Sequence, residues 1–123
     1  MVEVIDGLSV PTLPELARIK SWLLLTRDAV RDYLDTVVLL EKIGDSGLQA
    51  ALQPLEDIYG RGPGAGPPLA ELADRLAAAR PADKTSVELR TYKGVVPPWD
   101  DWGHLQGRGR LWAGRIASQL LGR

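Results

Sequence analysis

Lys20, Arg27, Arg31 and Asp35 follow one another at spacings of seven, four and four residues, with Asp32 between the last two. On a straight helix turning about 100° per residue, Lys20, Arg27, Arg31 and Asp35 would fall within roughly 80° of one another. A lysine and an arginine beside carboxylates can hold a phosphate and a divalent cation together. The same spacing also makes an ordinary solvated face, with Arg27, Arg31 and Asp35 linked at four-residue intervals and each pair contributing little. Spacing alone leaves both readings open.

A second candidate is Arg108-Gly109-Arg110, with Lys93 and Arg115 and with Tyr92, Trp99, Trp102 and Trp112 nearby in sequence. Basic residues interleaved with aromatics can hold a single-stranded RNA or a tRNA end by phosphate contact and stacking. The competing reading puts Trp112 in the core, Trp99 and Trp102 over a helix end, and the arginines in water. The glycines at 60, 62, 64 and 66 do not make a phosphate loop. That loop needs Gly-Lys-Ser/Thr opening a helix, and Pro63, Pro67 and Pro68 supply no backbone N–H donors. His104 stands alone, and no motif places a serine or cysteine nucleophile beside it.

These side chains must be positioned by a small protein. The chain has 123 residues with 15 basic and 16 acidic side chains, so a strongly cationic nucleic-acid binder resting on bulk charge is excluded. It has no cysteine and one histidine, which excludes disulfide scaffolds, CxxC chemistry and multi-histidine metal sites. No apolar run is long enough to span a bilayer and no secretory signal is visible, so a cytoplasmic location and no membrane partner are expected. Length predicts a single domain over 1–123.

The elements read as follows. Val2, Val4, Ile5, Leu8 and Val10 around Asp6-Gly7 predict a short hairpin or edge strand. Thr12, with Pro14 and Glu15 behind it, predicts the first helix start. Leu16, Ile19 and Leu23, with Trp22 or Leu24, are the expected inward stripe. A break is expected within the charged run 26–32; the alternative is one helix from about 14 to 43. A second helix covers about 29–43, stopped by Gly44, and a third runs from Asp45 or Ser46 to Tyr59 with Pro54 as a kink or restart. A mobile Gly/Pro-rich loop is expected at about 60–68, a helix over 69–80, irregular or extended chain over 82–98, and a last helix to Leu121 with Leu111, Trp112, Ile116 and Leu120 inward. The expected fold class is mainly α, a compact bundle of about five helices with a short N-terminal β segment.

Leu16-Ala17-Arg18-Ile19-Lys20, then Arg27, then Arg31-Asp32-Tyr33-Leu34-Asp35 ahead of Val38-Leu39-Leu40, resembles a segment of the AbiEii-type nucleotidyltransferase toxins. The approach over Val2–Pro14 and the tail Leu89–Gly94 and Pro97–Trp102 are similar to members of that family as well. The resemblance covers most of this chain and the C-terminal helical half of a typical member. It implies that Lys20 contacts nucleotide phosphates and that Asp32 supports catalysis. It also implies that Asp35 orients its neighbours by accepting hydrogen bonds from Arg27 or Arg31. The implied reaction is attack of an acceptor hydroxyl on the α-phosphate of a nucleoside triphosphate, with pyrophosphate leaving.

The chain departs from that pattern in one respect. The family's metal-binding half carries a Gly-Ser or Gly-Gly turn followed by Asp-x-Asp or Asp-x-Glu on a strand. Here the only comparable order is Asp45-Ser46-Gly47, with no acidic pair behind it, and Asp100-Asp101 are adjacent, so on a strand they would point to opposite faces. The reading is therefore a toxin-family portion, of toxin–antitoxin or phage-defence type, that helps bind a nucleotide and an RNA acceptor. Mg2+ and the nucleoside triphosphate would be engaged only where another chain completes the site, and no metal site of its own is expected. The partners implied are an N-terminal transferase half or a cognate antitoxin, and tRNA or another RNA. The alternative is a non-catalytic, antitoxin-like interaction module, dimerising through residues 2–10 by its strand edge.

Overall fold

Thr12 opens the helical part of the chain. Its hydroxyl accepts a hydrogen bond from the Glu15 N–H at 3.3 Å, which satisfies one of the orphan donors of helix α1, Leu13–Arg27. Asp28 ends that helix in the left-handed region (φ 53°), a conformation aspartate tolerates better than most residues. Ala29 is extended, and helix α2, Val30–Leu52, starts directly behind it. The charged run therefore breaks the helix, and α1 and α2 fold back on each other as an antiparallel pair. Arg75 braces the turn from a later helix, 2.9 Å from the Asp28 carboxylate.

Gly44 interrupts α2 with φ 68° and ψ −178°, backbone angles that are essentially restricted to glycine. Helical geometry resumes at once. Helix α3, Pro54–Tyr59, begins on a proline, whose missing N–H has no partner to lose in the first turn. Helix α4, Pro68–Ala78, buries Leu69, Leu72, Ala73 and Leu76 on one stripe. Helix α5, Trp102–Leu120, is capped by the Asp101 carboxylate, which accepts from the His104 N–H at 2.9 Å. Ahead of the helices, Val2–Ile5 (β1) pairs antiparallel with Leu8–Pro11 (β2), with Val4 opposite Ser9.

The protein is mainly helical. The computed structural model describes residues 2–5, 8–60, 66–78, 95 and 97–122. The Asp6-Gly7 turn, most of the expected Gly/Pro-rich loop, the stretch 79–94 and with it Lys93 lie outside the described residues. Among the described residues, no helix is long and apolar enough to cross a membrane.

The core draws on every helix, and one lock joins three of them. Tyr33 on α2 is 1% exposed, and its hydroxyl donates to the Leu76 carbonyl at 2.8 Å. Leu76 sits in the last turn of α4, where carbonyls lack helical partners, so Tyr33 caps α4 from the side. Burial pushes the Tyr33 hydroxyl up to about 12, which keeps it a neutral donor. Gly109 on α5 lets this contact form, because the tyrosine ring lies where a side chain would otherwise stand. Arg18 does a similar service for α2, donating to the carbonyls of Ala51 at 2.8 Å and Ala50 at 3.2 Å.

The inward face of α1 differs from the expected stripe. Ala17, Ser21, Leu24 and Leu25 are buried, Leu16, Trp22 and Leu23 are half-buried, and Ile19 is 41% exposed. Apolar residues occur on every side of this helix, so periodicity alone does not select a face. On α5, Trp112 and Ile116 are buried as expected, joined by Leu105, Gly109 and Ala113, while Leu111 and Leu120 are half-buried against the core.

Candidate functional site

Back-folding at Asp28 brings charges together from two helices rather than along one. Lys20 on α1 and Arg31 on α2 both reach Asp35, with Lys20 Nζ 3.1 Å and Arg31 Nε 3.3 Å from its carboxylate. These three line one groove. Its floor is apolar: Leu16 from α1, Leu34, Val38 and Leu39 from α2, and Val95 and Trp99 from the segment before α5. Lys42 stands at the far end, and the volume is about 570 Å3, within the range of small-molecule sites. Arg31 and Lys42 are eleven residues apart on α2, so they lie on one face about 16 Å from each other. Among the described residues, the groove lining carries three cations and one carboxylate. Trp99 is half-buried and takes the His104 ring edge-on, with centroids 5.0 Å apart.

Asp32 does not join them. It is fully buried, and both of its oxygens are held by Arg27, with Nη2 at 2.6 Å and Nε at 3.0 Å. The physical reason is helical phase. Asp32 lies about 60° round α2 from Asp35, on the side turned toward α1. Lys20 thus shares its groove with Arg31 and Asp35, while Asp32 lies beneath Arg27 at the helix junction. The hydrogen bonds that Arg27 donates to Asp32, with the negative charge they meet, raise the guanidinium above its ordinary value. Of the two arginines considered for Asp35, Arg31 makes the contact.

The arginine and aromatic candidate separates too. Arg108 is bound in two-pronged fashion to Glu41 on α2, with Nη2 to Oε2 at 2.8 Å, and Trp112 Nε1 donates to the same carboxylate at 3.1 Å. Arg115 and Gln119 engage Asp45 one turn further along α2. Arg108 therefore ties α5 to α2, while Arg110 is exposed. Trp102 packs on Tyr33 at 5.6 Å and Trp112 is buried.

The Arg108 hydrogen bond holds the Glu41 carboxyl below its usual range. Folded protein then binds fewer protons at this site than unfolded chain. The resulting stability is present above the ordinary glutamate value and is lost as pH falls through the lowered one. Glu41→Gln is expected to melt with a flatter pH profile below about pH 4.3 than the wild type. Superimposable profiles from pH 7 to 3 in thermal melts would contradict the assignment.

Lys42, Val95 and Trp99 were not singled out with this site from sequence. Lys42 carried a usable signal, since it falls two helical turns beyond Asp35. Trp99 carried none, because its place depends on how the segment before α5 packs. Among the described residues, no three acidic, histidine or cysteine side chains converge as a metal-ligand group. Asp35 is engaged by two cations and Asp32 is buried against a third, so the described carboxylates here do not fit a Mg2+ site.

No family model matches the chain, and neither a curated protein nor a solved structure matches it.

Proposed function

We propose that this chain is the helical, nucleotide-binding portion of a nucleotidyltransferase-like protein of toxin–antitoxin or phage-defence type. Its groove takes the phosphates of a nucleoside triphosphate and does not transfer the nucleotide alone. The observation that carries the reading is the groove itself, where, among the described residues, Lys20, Arg31 and Lys42 outnumber Asp35 around an apolar floor. Lys20 and Arg31 offset phosphate charge and exchange part of their contact with Asp35 for it. The apolar floor and Trp99 receive the less polar end of the ligand. Asp32 acts as a positioning residue through Arg27, fixing the junction from which Arg31 and Asp35 project. Metal-binding carboxylates come from a transferase half on another chain, which also brings the RNA acceptor into reach, and a cognate antitoxin would act on that assembly.

Calorimetric titration with each nucleoside triphosphate tests this. Binding is expected, and Lys20→Ala should weaken it about tenfold, the usual effect of losing one charge-assisted contact. Equal affinity for wild type and Lys20→Ala would remove the site assignment. With labelled nucleotide, Mg2+ and bulk tRNA, this chain alone should leave the RNA unlabelled. Label that disappears in Asp32→Ala would instead make it a complete transferase. A second reading, the non-catalytic antitoxin-like module, is favoured by the burial of Asp32 against Arg27, and it expects no nucleotide binding.

A further inference from the structure

The chain has one histidine, and it backs the aromatic wall of the groove. Histidine is the side chain whose charge ordinarily changes between about pH 5 and pH 8. Trp99 lines the groove, and its indole meets the His104 ring with centroids 5.0 Å apart and planes 69° from parallel. That angle presents the edge of one ring to the face of the other, a favoured arrangement for such a pair. Among the described residues, His104 itself does not line the groove, so the indole is its link to the site. Both side chains are half-buried. Charged groups face the histidine from two elements. Asp101 accepts the His104 backbone N–H at 2.9 Å, and Asp100 precedes it. On α2, the Glu41 carboxylate is near enough for the His104 charge to help hold it down. Arg108 lies one turn along α5 and is bound to that same carboxylate. Lys20, Arg31, Lys42 and Asp35 line the groove with Trp99.

We propose, on the nucleotide reading above, that His104 makes the groove pH-sensitive: gaining a proton, it fixes Trp99 as the wall on which the base stacks. An imidazolium is attracted to the face of an indole where a neutral imidazole is not. At a partly exposed site that attraction favours the held arrangement about two- to fivefold. A ligand that needs the indole in place binds in proportion to the fraction of molecules that already hold it there. Affinity for a nucleotide therefore rises as pH falls through the histidine range. By reciprocity, a bound nucleotide strengthens the hold of His104 on its proton by the same factor. His104 acts through Trp99 and touches no ligand, so it is a positioning residue.

One histidine gives one imidazole C–H signal in the proton NMR spectrum, so His104 can be followed directly in untagged protein. The signal is titrated between about pH 5 and pH 8, with and without saturating ATP at low salt. ATP is expected to raise the midpoint by about half a pH unit, which is threefold tighter binding seen from the proton's side. In Trp99→Leu most of that rise should disappear. Calorimetric titration with ATP at about pH 5.5 and about pH 8 then compares wild type with His104→Gln. The comparison cancels the charge that the phosphates themselves gain or lose over this range. The ratio of wild-type to variant affinity should be about three times larger at the lower pH. ATP binding that depends on Lys20, with an unmoved His104 midpoint, overturns the proposal and leaves the nucleotide reading standing. The same affinity ratio at both pH values overturns the proposal, as does a midpoint that rises as far in Trp99→Leu. No ATP binding at either pH overturns both.

Discussion

Gly109→Ala should lose about 3 kcal/mol of stability, combining overpacking of a tight core site with loss of a buried hydrogen bond. A methyl group at this position would overlap the Tyr33 hydroxyl, lie 2.8 Å from Cζ of the ring and stand 3.1 Å from the Leu76 carbonyl oxygen. One wall of the notch is backbone and cannot swing aside. Tyr33 must then move, which leaves the Leu76 carbonyl unpaired inside the protein. For a domain of this size the midpoint should fall by about 12 °C. Gly107 and Gly114 on the same helix provide the control, since a side chain at either meets nothing within 4 Å. Alanine there should instead raise stability by up to about 1 kcal/mol through helix propensity. Equal behaviour of all three variants in denaturant titrations would show that the Tyr33 notch is not tight.

The second large effect is expected at Arg27, and it is asymmetric. Arg27→Ala should destabilise more than Asp32→Ala, although Arg27 is the more exposed partner. The Asp32 carboxylate is fully buried while the Arg27 side chain is 57% exposed. Removing arginine strands a carboxylate without water or counter-ion, whereas removing aspartate leaves a guanidinium that water already reaches. Both residues also oppose favourable helix ends, Arg27 in the last turn of α1 and Asp32 in the first turn of α2. The double variant should be more stable than Arg27→Ala alone, which a melting series at neutral pH would reveal. Equal losses in the two single variants would mean that the buried carboxylate finds another partner.

Features set by local chemistry were legible in the residues. The Thr12 cap, the break at Asp28, the interruption at Gly44 and the restart at Pro54 each follow from what one or two side chains permit. The facing of α1 was not legible, because leucine, isoleucine and tryptophan surround it and only the neighbours decide which are covered. At the site, spacing correctly associated Lys20, Arg31 and Asp35, but through one imagined helix instead of a helical hairpin. The same hairpin turned Asp32 inward. Arg108 looked like a free cation because its partner, Glu41, is 67 residues away. Sequence proximity to tryptophans said less about that arginine than the carboxylate α2 presents to it.

The interruption at Gly44 gains meaning from what flanks it. Glu41 lies before the bend and Asp45 after it, and α5 holds both, through Arg108 with Trp112 and through Arg115 with Gln119. Helix α5 is therefore a splint across a joint. A glycine with such angles could act as a hinge, but here its two arms are strapped to one rigid rod. The direction α2 takes beyond Gly44, and with it the seat of α3 beside Trp22, is set by a helix some seventy residues later in the chain.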